Sequence, residues 1–537
     1  MTDPRCPVDI EFADLQGGIL TAYGRQGFPF ARFGLISVSD AAKGREFIER
    51  VRPRVTTGAR WPSRGMKAPV GRLEVPRPKA TLNLAFTIRG LRALDVPTRT
   101  LRGMPDEYMD GMVKRCAILG DDTKENHWSN WDPVWQPKQG CEKVHILVML
   151  NGGIDPETGM PFPELDETCQ WIADLCKELR GVELLSGHRG PDPFWQHLEA
   201  LRDERGIPCP KEHFGYTDGI SDPVFQGQYA QGEEAARSVG FGATDGEGNW
   251  RPLAAGEFLL GWPDEAQEIP GSAMPLDFSR NGTFFAYRKL HQDVDAFKAW
   301  VETTAGALQR VWKLATFEEA RETLLAKMAG RWSDGVPLTV APTYADWLDF
   351  NLRCPPPGDN RVRDESQRAN ALVDFLYRED PDGTRCPLGS HIRRANSRDM
   401  LDPRANDGPS SRMGSALNNR RRVLRRGLPY GKDGAEDGEH GVIMLVVCAS
   451  LQRQFEFVQQ QWINYGLDSS SGNDACPVIG NHGPGSKFTI PADPHAGNPP
   501  FIAPDLKQWV ETRGGDYFFV PSMTALRMIG MGVVDPT

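Results

Sequence analysis

The feature that most limits the fold of this chain is a mixture of two segment types in both of its halves. Short apolar segments of strand length, rich in β-branched and aromatic residues, occur at 30–39, 81–88, 143–150, 441–450 and 516–522. Longer segments with apolar residues at helical spacing occur at 41–51, 163–180, 292–305, 317–330 and 451–463. Strands and helices mixed in this way predict an α+β protein.

The length of the chain predicts more than one structural unit. A chain of 537 residues is longer than a single hydrophobic core usually supports. One cluster of strands and helices ends before residue 210, so we predict an N-terminal domain at 1–210 and a C-terminal domain at 211–537. Pro- and Gly-rich sequence at 352–385 and 427–440 predicts long surface loops around a functional region.

Composition and charge exclude several classes of protein. Hydrophobic residues make up 39% of the chain and charged residues 25%, as in ordinary globular proteins. The net charge of −10 argues against a general nucleic-acid-binding protein. The N-terminus, MTDPRCPVDIEFADLQGG, lacks the basic start and apolar core of a secretory signal, and no apolar run approaches the ~18 to 20 residues that cross a bilayer. We therefore expect a cytoplasmic protein without a membrane partner.

Cysteine spacing limits the kinds of cofactor site. The 10 cysteines are scattered and include no Cys-x-x-Cys pair. This pattern favours a reduced compartment and argues against a zinc ribbon and against a covalently attached c-type haem.

The segment CPLGSHIRRANSRD, residues 386–399, contains a candidate metal ligand, His391. A neutral imidazole binds a metal through one nitrogen while the other donates a hydrogen bond, and nearby arginines disfavour the protonated ring that could not bind. Arg393 and Arg394 would suit carboxylates such as haem propionates. A single histidine is more often structural, so the residues alone leave both interpretations open.

The segment HFGYTDGISDPVF, residues 213–225, places Asp218 between two glycines. Glycines let the backbone turn tightly and would bring the carboxylate close to a ligand. The alternative, an ordinary Asp-Gly turn, is favoured by this motif alone.

The segment RRRVLRRGLPYG, residues 420–431, has five arginines within its first seven residues. A nucleic-acid patch is one interpretation, but Val423 and Leu424 interrupt the run and the chain is acidic. We expect one or two of these arginines to face a pocket and Arg420–Arg422 to form a solvated surface.

Taken together, these segments resemble the dye-decolourising peroxidase family. The similarity extends over nearly the whole chain, through LQGGILTAYGR, HFGYTDGISDP, CPLGSHIRRAN, VLRRGLPYG and DYFFVPSMTALR in this order. The resemblance implies duplicated ferredoxin-like domains of the dimeric α+β barrel type, with antiparallel sheets and peripheral helices. It also implies one noncovalent b-type haem per chain.

The resemblance also implies roles for individual residues. His391 matches the proximal iron ligand, Asp218 the distal acid/base and Arg425 the distal arginine. Because the stretch between His391 and Arg425 is longer than the family pattern, Arg426 stays an alternative. The acceptor for the free nitrogen of the proximal imidazole would be Asp399 or an acidic residue from the C-terminal part of the chain.

The implied activity is oxidation of dyes, phenolics or similar organic reductants by hydrogen peroxide. A carboxylate can move a proton between peroxide oxygens, and a guanidinium stabilises the charge that develops as they separate. The alternative is a haem-binding or haem-iron-handling protein with incidental peroxidase activity. A homo-oligomer and cargo of a protein nanocompartment stay open as assembly states.

Overall fold

The apolar segments form strands because pleated backbone accommodates β-branched and aromatic side chains. In the computed structural model of the protein, the strands are β1 (Phe30–Val38), β2 (Ala80–Phe86), β3 (Ile146–Gly152), β4 (Val182–Leu184), β5 (Trp195–Glu199), β6 (Ala243–Thr244), β7 (Trp250–Arg251), β8 (Thr283–Gln292), β9 (Leu424–Tyr430), β10 (Gly441–Cys448), β11 (Phe488–Ile490), β12 (Phe501–Ala503) and β13 (Val510–Val520).

The structure describes most of the chain. The described residues are 8–61, 76–137, 140–230, 232–245, 247–269, 273–356, 365–401, 414–432, 438–494 and 496–534. Parts of the two predicted loops, 357–364 and 433–437, lie outside these ranges, as do the first seven residues of the N-terminus discussed above.

The principal sheet repeats one strand order twice. Its path is β4-β1-β3-β2-β13-β8-β10-β9, with β5 also paired to β1, and its ladders are antiparallel. When the strands are numbered within each half, their order across the sheet is 4-1-3-2, which is the ferredoxin-like order. The first half is β4-β1-β3-β2, and the second half is β13-β8-β10-β9, in which β8 is the first strand along the chain and β13 the fourth. Within the described residues, the two halves are joined in the sheet by one ladder pairing, Phe86 with Phe519. The predicted duplicated ferredoxin-like α+β fold with antiparallel strands is therefore confirmed.

The sheet is an open path rather than a closed barrel. β5 and β9 lie against each other, but no hydrogen-bonded ladder joins them within the described residues. The division at residues 210 and 211 falls between β5 and β6 and stays a prediction.

The helices cover the outside of the sheet. They are α1 (Gly17–Leu20), α2 (Ala41–Val51), α3 (Ile88–Ala93), α4 (Thr98–Leu101), α5 (Asp106–Asp110), α6 (Cys116–Leu119), α7 (Glu164–Glu178), α8 (Glu234–Arg237), α9 (Leu276–Ser279), α10 (Val294–Trp312), α11 (Phe317–Ala329), α12 (Tyr344–Arg353), α13 (Glu365–Val373), α14 (His391–Ala395), α15 (Ala416–Asn419) and α16 (Met523–Met531). Asp40, Asp293 and Thr316 cap the N-termini of α2, α10 and α11 through their side chains.

Three local predictions differ from the structure. The segment 451–463 is helical, but its backbone forms two π-helical turns, Leu451–Glu456 and Val458–Ile463. Helix α13 lies inside the predicted loop 352–385, and β9 includes the start of the predicted loop 427–440. Pro429 is tolerated in β9 because β9 is an edge strand, where one side of the backbone needs no ladder partner.

Both halves of the sheet bury their inner faces in one shared core. Phe33 and Leu84 of the first half belong to the same apolar cluster as Phe285 and Leu445 of the second. A second cluster, built on α10 and α11, packs on the outside of the second half. Residues from both faces of β10, such as Leu445 and Val446, belong to the shared core, and the outer helical layer contacts the sheet through Leu290 of β8 and Val510 of β13. No helix among the described residues is long and apolar enough to cross a membrane.

A buried ion pair ties the first half of the chain to β8. Lys289 of β8 donates from Nζ to Asp132 Oδ2 at 2.7 Å, and neither side chain is exposed. The same oxygen accepts from the backbone N–H of Arg189 at 3.0 Å. A buried charge that loses its partner has a large desolvation cost.

We predict that Asp132→Ala lowers the free energy of unfolding by about 3 to 5 kcal/mol, because Lys289 would be left buried with only the more distant carboxylate of Glu439, at 3.9 Å. Urea unfolding followed by circular dichroism measures this change. Asp166→Ala is the control, since Asp166 is largely exposed and its contact with Arg32 is 3.8 Å long; its effect should stay within about 0.5 kcal/mol. Equal effects of the two substitutions would contradict the prediction.

Candidate active site

A cavity of about 280 Å³ lies between the outer face of the second-half sheet and the helical layer. The sheet contributes Val442, Met444 and Val446, which are alternate residues of β10 and so share one face. His391 lines the same cavity from the first position of α14. We call it the His391 cavity.

The orientation of His391 is set by a sulfur atom. Its ring Nδ1 lies 3.2 Å from the Sγ of Cys476, and the ring itself is half-buried. With Nδ1 engaged in this way, Nε2 is the nitrogen available to the cavity. The imidazole is thus held as a ligand side chain would be.

The expected acceptors for His391 are not the observed partner. Asp399 accepts from the backbone N–H groups of Tyr377 and Arg378, at 2.7 and 3.2 Å, so its carboxylate is used within its own loop. The partner does come from the C-terminal part of the chain, but it is the thiol of Cys476 rather than an acid.

Asp218 reaches the His391 cavity from a tight turn. Gly219 has φ +75°, and a Cβ there would lie 2.0 Å from Arg25 Nε, so only glycine allows this approach. The Gly219 N–H donates to Asp218 Oδ1 at 2.6 Å, and Arg425 Nη2 donates to the same oxygen at 2.5 Å. Oδ2 has only a 3.5 Å contact with Arg425 Nη1 among the described residues. Oδ2 therefore accepts fewer and longer hydrogen bonds than Oδ1 does among the described residues.

Alternation along β9 separates the two candidate distal arginines. Arg425 points to the cavity and pairs with Asp218, whereas the next residue, Arg426, points to the opposite face. There Arg426 pairs with Asp222 at 2.9 Å and donates to the carbonyl oxygen of Ile19 at 2.8 Å. The structure thus brings Arg425, and not Arg426, to Asp218.

The Asp218–Arg425 pair forms the boundary between two cavities. A larger cavity of about 550 Å³, lined by Arg25 and by inner-face residues such as Phe33 and Asn151, shares both side chains with the His391 cavity. Because they face these spaces, 44% of the Asp218 side chain and 43% of that of Arg425 remain accessible. The pair is therefore accessible to a small molecule inside the protein.

The charges around Asp218 keep its carboxyl group acidic. Its position inside the protein would raise the pKa of Asp218, but Arg425, Arg25 and the Gly219 N–H outweigh that effect and lower the pKa to about 2. The same carboxylate raises the pKa of Arg425. Asp218 is therefore an ionised proton acceptor in neutral and mildly acidic solution.

Arg393 and Arg394 do not line either cavity. Arg393 is fully buried and donates to Asp380 Oδ2 at 3.0 Å and to the carbonyl oxygen of Cys386 at 2.7 Å. Arg394 donates to the carbonyl oxygen of Gly389 at 2.8 Å. Successive residues of a helix point in different directions, and α14 turns its arginines toward the loops that support it.

A different set of arginines makes one end of the His391 cavity positive. Arg331 and Arg422 line the cavity, and neither has a carboxylate at salt-bridge distance in the described parts of the chain. Burial and the nearby Arg398 lower the pKa of Arg331 to about 10 and that of Arg422 to about 9. The buried Nε and Nη2 of Arg398 have no hydrogen-bond partner among the described residues. This end of the cavity suits an anionic group.

Sequence reasoning missed several of these residues. Arg25 belongs to the block LQGGILTAYGR, which contributed to the family resemblance but gave no sign that its arginine would lie beside Asp218. Nothing in the sequence around Cys476 or Arg331 signals a site. Only the folded chain brings them to His391 and its cavity.

Comparison with known proteins gives one consistent group of relatives. Peroxidase 2 of Mycetinis scorodonius is 25% identical and the match covers 97% of this chain and 88% of that protein. A dye-decolorizing peroxidase of Exidia glandulosa is 28% identical, with 96% and 86% covered. The multifunctional dye peroxidase DyP2 of an Amycolatopsis strain is 29% identical, with 59% and 61% covered. No protein-family model matches the chain.

Solved structures agree with the observed fold. A dye-decolorizing peroxidase in complex with 2,6-dimethoxyphenol superposes with a TM-score of 0.68 at 23% identity, over 97% of this chain and all of the other. A second dye-decolorizing peroxidase structure gives 0.68 at 24% identity, over 98% and 99%. At these identities the likeness establishes the fold.

We predict that Arg425→Leu raises the pKa of Asp218 above its parent value of about 2, because the largest effect that opposes burial is lost while Arg25 and the Gly219 N–H remain. Infrared difference spectra of the haem-free protein against pH measure it, with Asp218→Asn identifying the carboxylate band. Arg205→Leu, which removes an exposed arginine paired with Asp203, is the control and should leave the midpoint unchanged. A midpoint that stays near 2 in Arg425→Leu would show that Arg425 does not hold the carboxylate ionised.

Proposed function

We propose that this chain, a member of the dye-decolourising peroxidase family, is a haem peroxidase that uses hydrogen peroxide to oxidise an organic reductant. The observation that carries the proposal is that His391 and the Asp218–Arg425 pair line one cavity. The first is a metal-ligating side chain, and the pair combines a proton acceptor with a fixed positive charge. These are the groups that peroxide cleavage at a haem requires.

The residues around the His391 cavity fit a haem. Apolar side chains such as Val442, Met444, Val478 and Ile479 would contact the porphyrin faces, and His391 Nε2 would bind the iron. Arg331 and Arg422, which line the cavity without a carboxylate at salt-bridge distance among the described residues, would face the propionates. The described lining includes no cysteine, which supports a noncovalent, b-type haem. We propose one haem per chain.

The bound haem would supply the iron at which the peroxide bond is cleaved and the capacity to hold oxidising equivalents. Asp218 would move the proton between the two peroxide oxygens. Oδ2 is the atom suited to accept it, because Oδ1 already accepts from Gly219 and Arg425. A carboxyl group with a pKa of about 2 is ready to accept a proton at pH 4 to 7 and releases it readily.

Arg425 would stabilise negative charge on the departing oxygen. Its guanidinium stays protonated across the working pH range and is held by Asp218, so little reorganisation is needed when charge develops. Arg25 adds a second positive charge near Asp218 and lines the larger cavity. Arg393 and Arg394 would act indirectly, by holding α14 in place.

The alternative is a haem-binding or haem-iron-handling protein with incidental turnover. Binding alone needs an iron ligand, apolar walls and a partner for the propionates, but not an Asp–Arg pair held at the cavity boundary. The pair therefore favours the peroxidase. Dyes and phenolics are the proposed reductants, in keeping with the neighbouring structure that holds 2,6-dimethoxyphenol. A cytoplasmic location, homo-oligomerisation and nanocompartment cargo stay predictions.

We predict that His391→Ala binds haem at least about 10-fold more weakly and loses the absorbance of a histidine-ligated haem, because the iron would lose its protein ligand. Haem titration followed by visible absorbance measures this. His127→Ala is the control, since His127 lies outside both cavities, and it should bind haem as the parent does. A full complement of haem with an unchanged spectrum in His391→Ala would refute the ligand assignment.

The two distal residues should give different pH profiles for the reaction with peroxide. Asp218→Asn should slow it about 10²- to 10⁴-fold and remove the decline in acid, because the titrating base is gone. Arg425→Leu should slow it about 10²- to 10³-fold and move the decline to higher pH, because the pKa of Asp218 rises. Stopped-flow absorbance against pH measures both profiles.

Asp222→Asn is the matched control for this pair of variants. Asp222 is also paired with an arginine of β9, but on the opposite face of the strand. Because the Asp222 carboxylate acts on Arg425 and Arg25, the rate of this variant should fall less than that of Asp218→Asn, and its decline in acid should remain because Asp218 is kept. If Asp218→Asn keeps the parent's rate and profile, the assignment of proton transfer to Asp218 is wrong.

A further inference from the structure

The sulfur of Cys476 occupies a fixed position behind His391. The residue is fully buried, and its Sγ lies 3.2 Å from His391 Nδ1. Its backbone N–H donates to the carbonyl oxygen of Ile463 at 2.7 Å, and its own carbonyl oxygen accepts from the Gly480 N–H at 2.9 Å. His482 Nε2 lies 3.0 Å from the same carbonyl oxygen. The main chain therefore holds the sulfur in place on both sides.

The direction of the His391–Cys476 hydrogen bond follows from the proton count of imidazole. A neutral ring carries one N–H, and the nitrogen that binds a metal must present its lone pair. With Nε2 toward the cavity, the proton belongs on Nδ1, and the atom opposite must accept it. Among the described residues, the Ile479 N–H also donates to Sγ, and the positively charged Arg394 acts on it. All of these surroundings favour sulfur as the acceptor.

We propose that Cys476 is the positioning residue of the proximal side: its sulfur accepts the Nδ1–H of His391, fixes the ring orientation and sets how strongly the imidazole donates to the iron. This inference rests on the proposed function, because it concerns His391 as a haem ligand. A hydrogen bond from the free nitrogen raises the basicity of a ligating imidazole, and the strength of the acceptor determines by how much. The basicity of an imidazole that donates to a cysteine sulfur therefore differs from that of an imidazole that donates to a carboxylate.

A buried cysteine is often only a small apolar side chain, and another cysteine of this chain shows the difference. Cys448 of β10 is also fully buried, and its sulfur accepts from the backbone N–H of Phe455. No side chain makes a hydrogen bond to the Cys448 sulfur among the described residues; the Thr283 hydroxyl donates to the Cys448 carbonyl oxygen instead, at 3.2 Å. Cys448 therefore matches Cys476 in burial and in its backbone partner, but not in contact with a ligand histidine.

The test compares Cys476→Ala, Cys476→Ser and Cys476→Asp with Cys448→Ala, all loaded with haem. Resonance Raman spectroscopy of the ferrous protein gives the stretching frequency of the bond between iron and His391 nitrogen, and spectroelectrochemistry gives the reduction potential. Cys476→Ala, without an acceptor, should lower the frequency and raise the potential. Cys476→Asp, with a charged acceptor, should move both in the opposite direction. Cys476→Ser keeps a hydroxyl acceptor and should lie closer to the parent than Cys476→Ala does.

Haem transfer to apomyoglobin supplies a second readout. Cys476→Ala should lose haem about 10- to 100-fold faster than the parent, which is the usual cost of removing the partner of a metal-binding histidine. Cys448→Ala should match the parent in frequency, potential and haem loss. Opposite shifts in the Ala and Asp variants would not arise from a packing defect alone. If Cys476→Asp does not fold, the comparison of Cys476→Ser with Cys476→Ala tests the inference. The inference fails if the Ser variant lies no closer to the parent in frequency and potential than the Ala variant does.

The outcomes separate this inference from the proposed function. If the parent shows an iron–histidine band that disappears in His391→Ala, but Cys476→Ala leaves frequency, potential and haem loss unchanged, the role of Cys476 is refuted while the haem site stands. The same holds if Cys476→Ala and Cys448→Ala produce equal shifts. If the parent shows no band that depends on His391, the proposed function itself fails, and the inference fails with it.

Discussion

The alternation of side chains along the edge strand β9 is the constraint on which the proposed catalytic centre depends. Neighbouring residues of a strand point to opposite faces, so Arg425 reaches the His391 cavity while Arg426 anchors the strand to the inner face. A shift of the strand by one residue would exchange the two guanidinium groups. Gly427 helps to fix the register, because a Cβ there would lie 1.9 Å from the carbonyl oxygen of Ile443 in β10. The register of β9 therefore determines that Arg425 rather than Arg426 pairs with Asp218.

The lining of the His391 cavity differs in charge from one part to another. On one side Asp218 and Arg425 neutralise each other, which leaves an ionised carboxylate and a protonated guanidinium ready for reaction. At one end of the cavity Arg331 and Arg422 have no carboxylate partners among the described residues, so their charges would favour an anionic cofactor. Behind His391, the imidazole contacts a buried sulfur rather than a carboxylate. The charged pair would thus contact peroxide, the arginines at one end would contact an anionic part of the cofactor, and the sulfur contacts the proposed iron ligand.

The sequence predicted the fold class and the main elements, because these depend on local periodicity. β1, β13 and α2 occur where apolar alternation or helical spacing indicated them. β9 was not recognised as a strand, since arginine, glycine and proline interrupt its apolar pattern. The π-helical turns at 451–463 escaped prediction for a related reason: their side-chain spacing differs little from that of an α-helix. Strand β9 and the π-helical turns depend on contacts with residues that are distant in sequence.

The candidate site was predictable where a motif carried it. His391, Asp218 and Arg425 were identified from the family resemblance, and the structure brings all three to one cavity. Arg393 and Arg394 were expected there because they are adjacent to His391 in sequence, but helical rotation turns them into the supporting loops. Cys476 and Arg331 are distant from His391 in sequence, so their placement follows only from tertiary structure.

We propose that the His391 cavity binds haem and that the bound haem reacts with peroxide. The most direct measurement is rapid-scan visible absorbance of the haem-loaded protein mixed with one equivalent of hydrogen peroxide, followed by 2,6-dimethoxyphenol. Peroxide should change the haem spectrum within milliseconds to seconds, and the phenol should restore the starting spectrum as it is oxidised. A haem spectrum that does not respond to peroxide, or that only bleaches irreversibly, would contradict it.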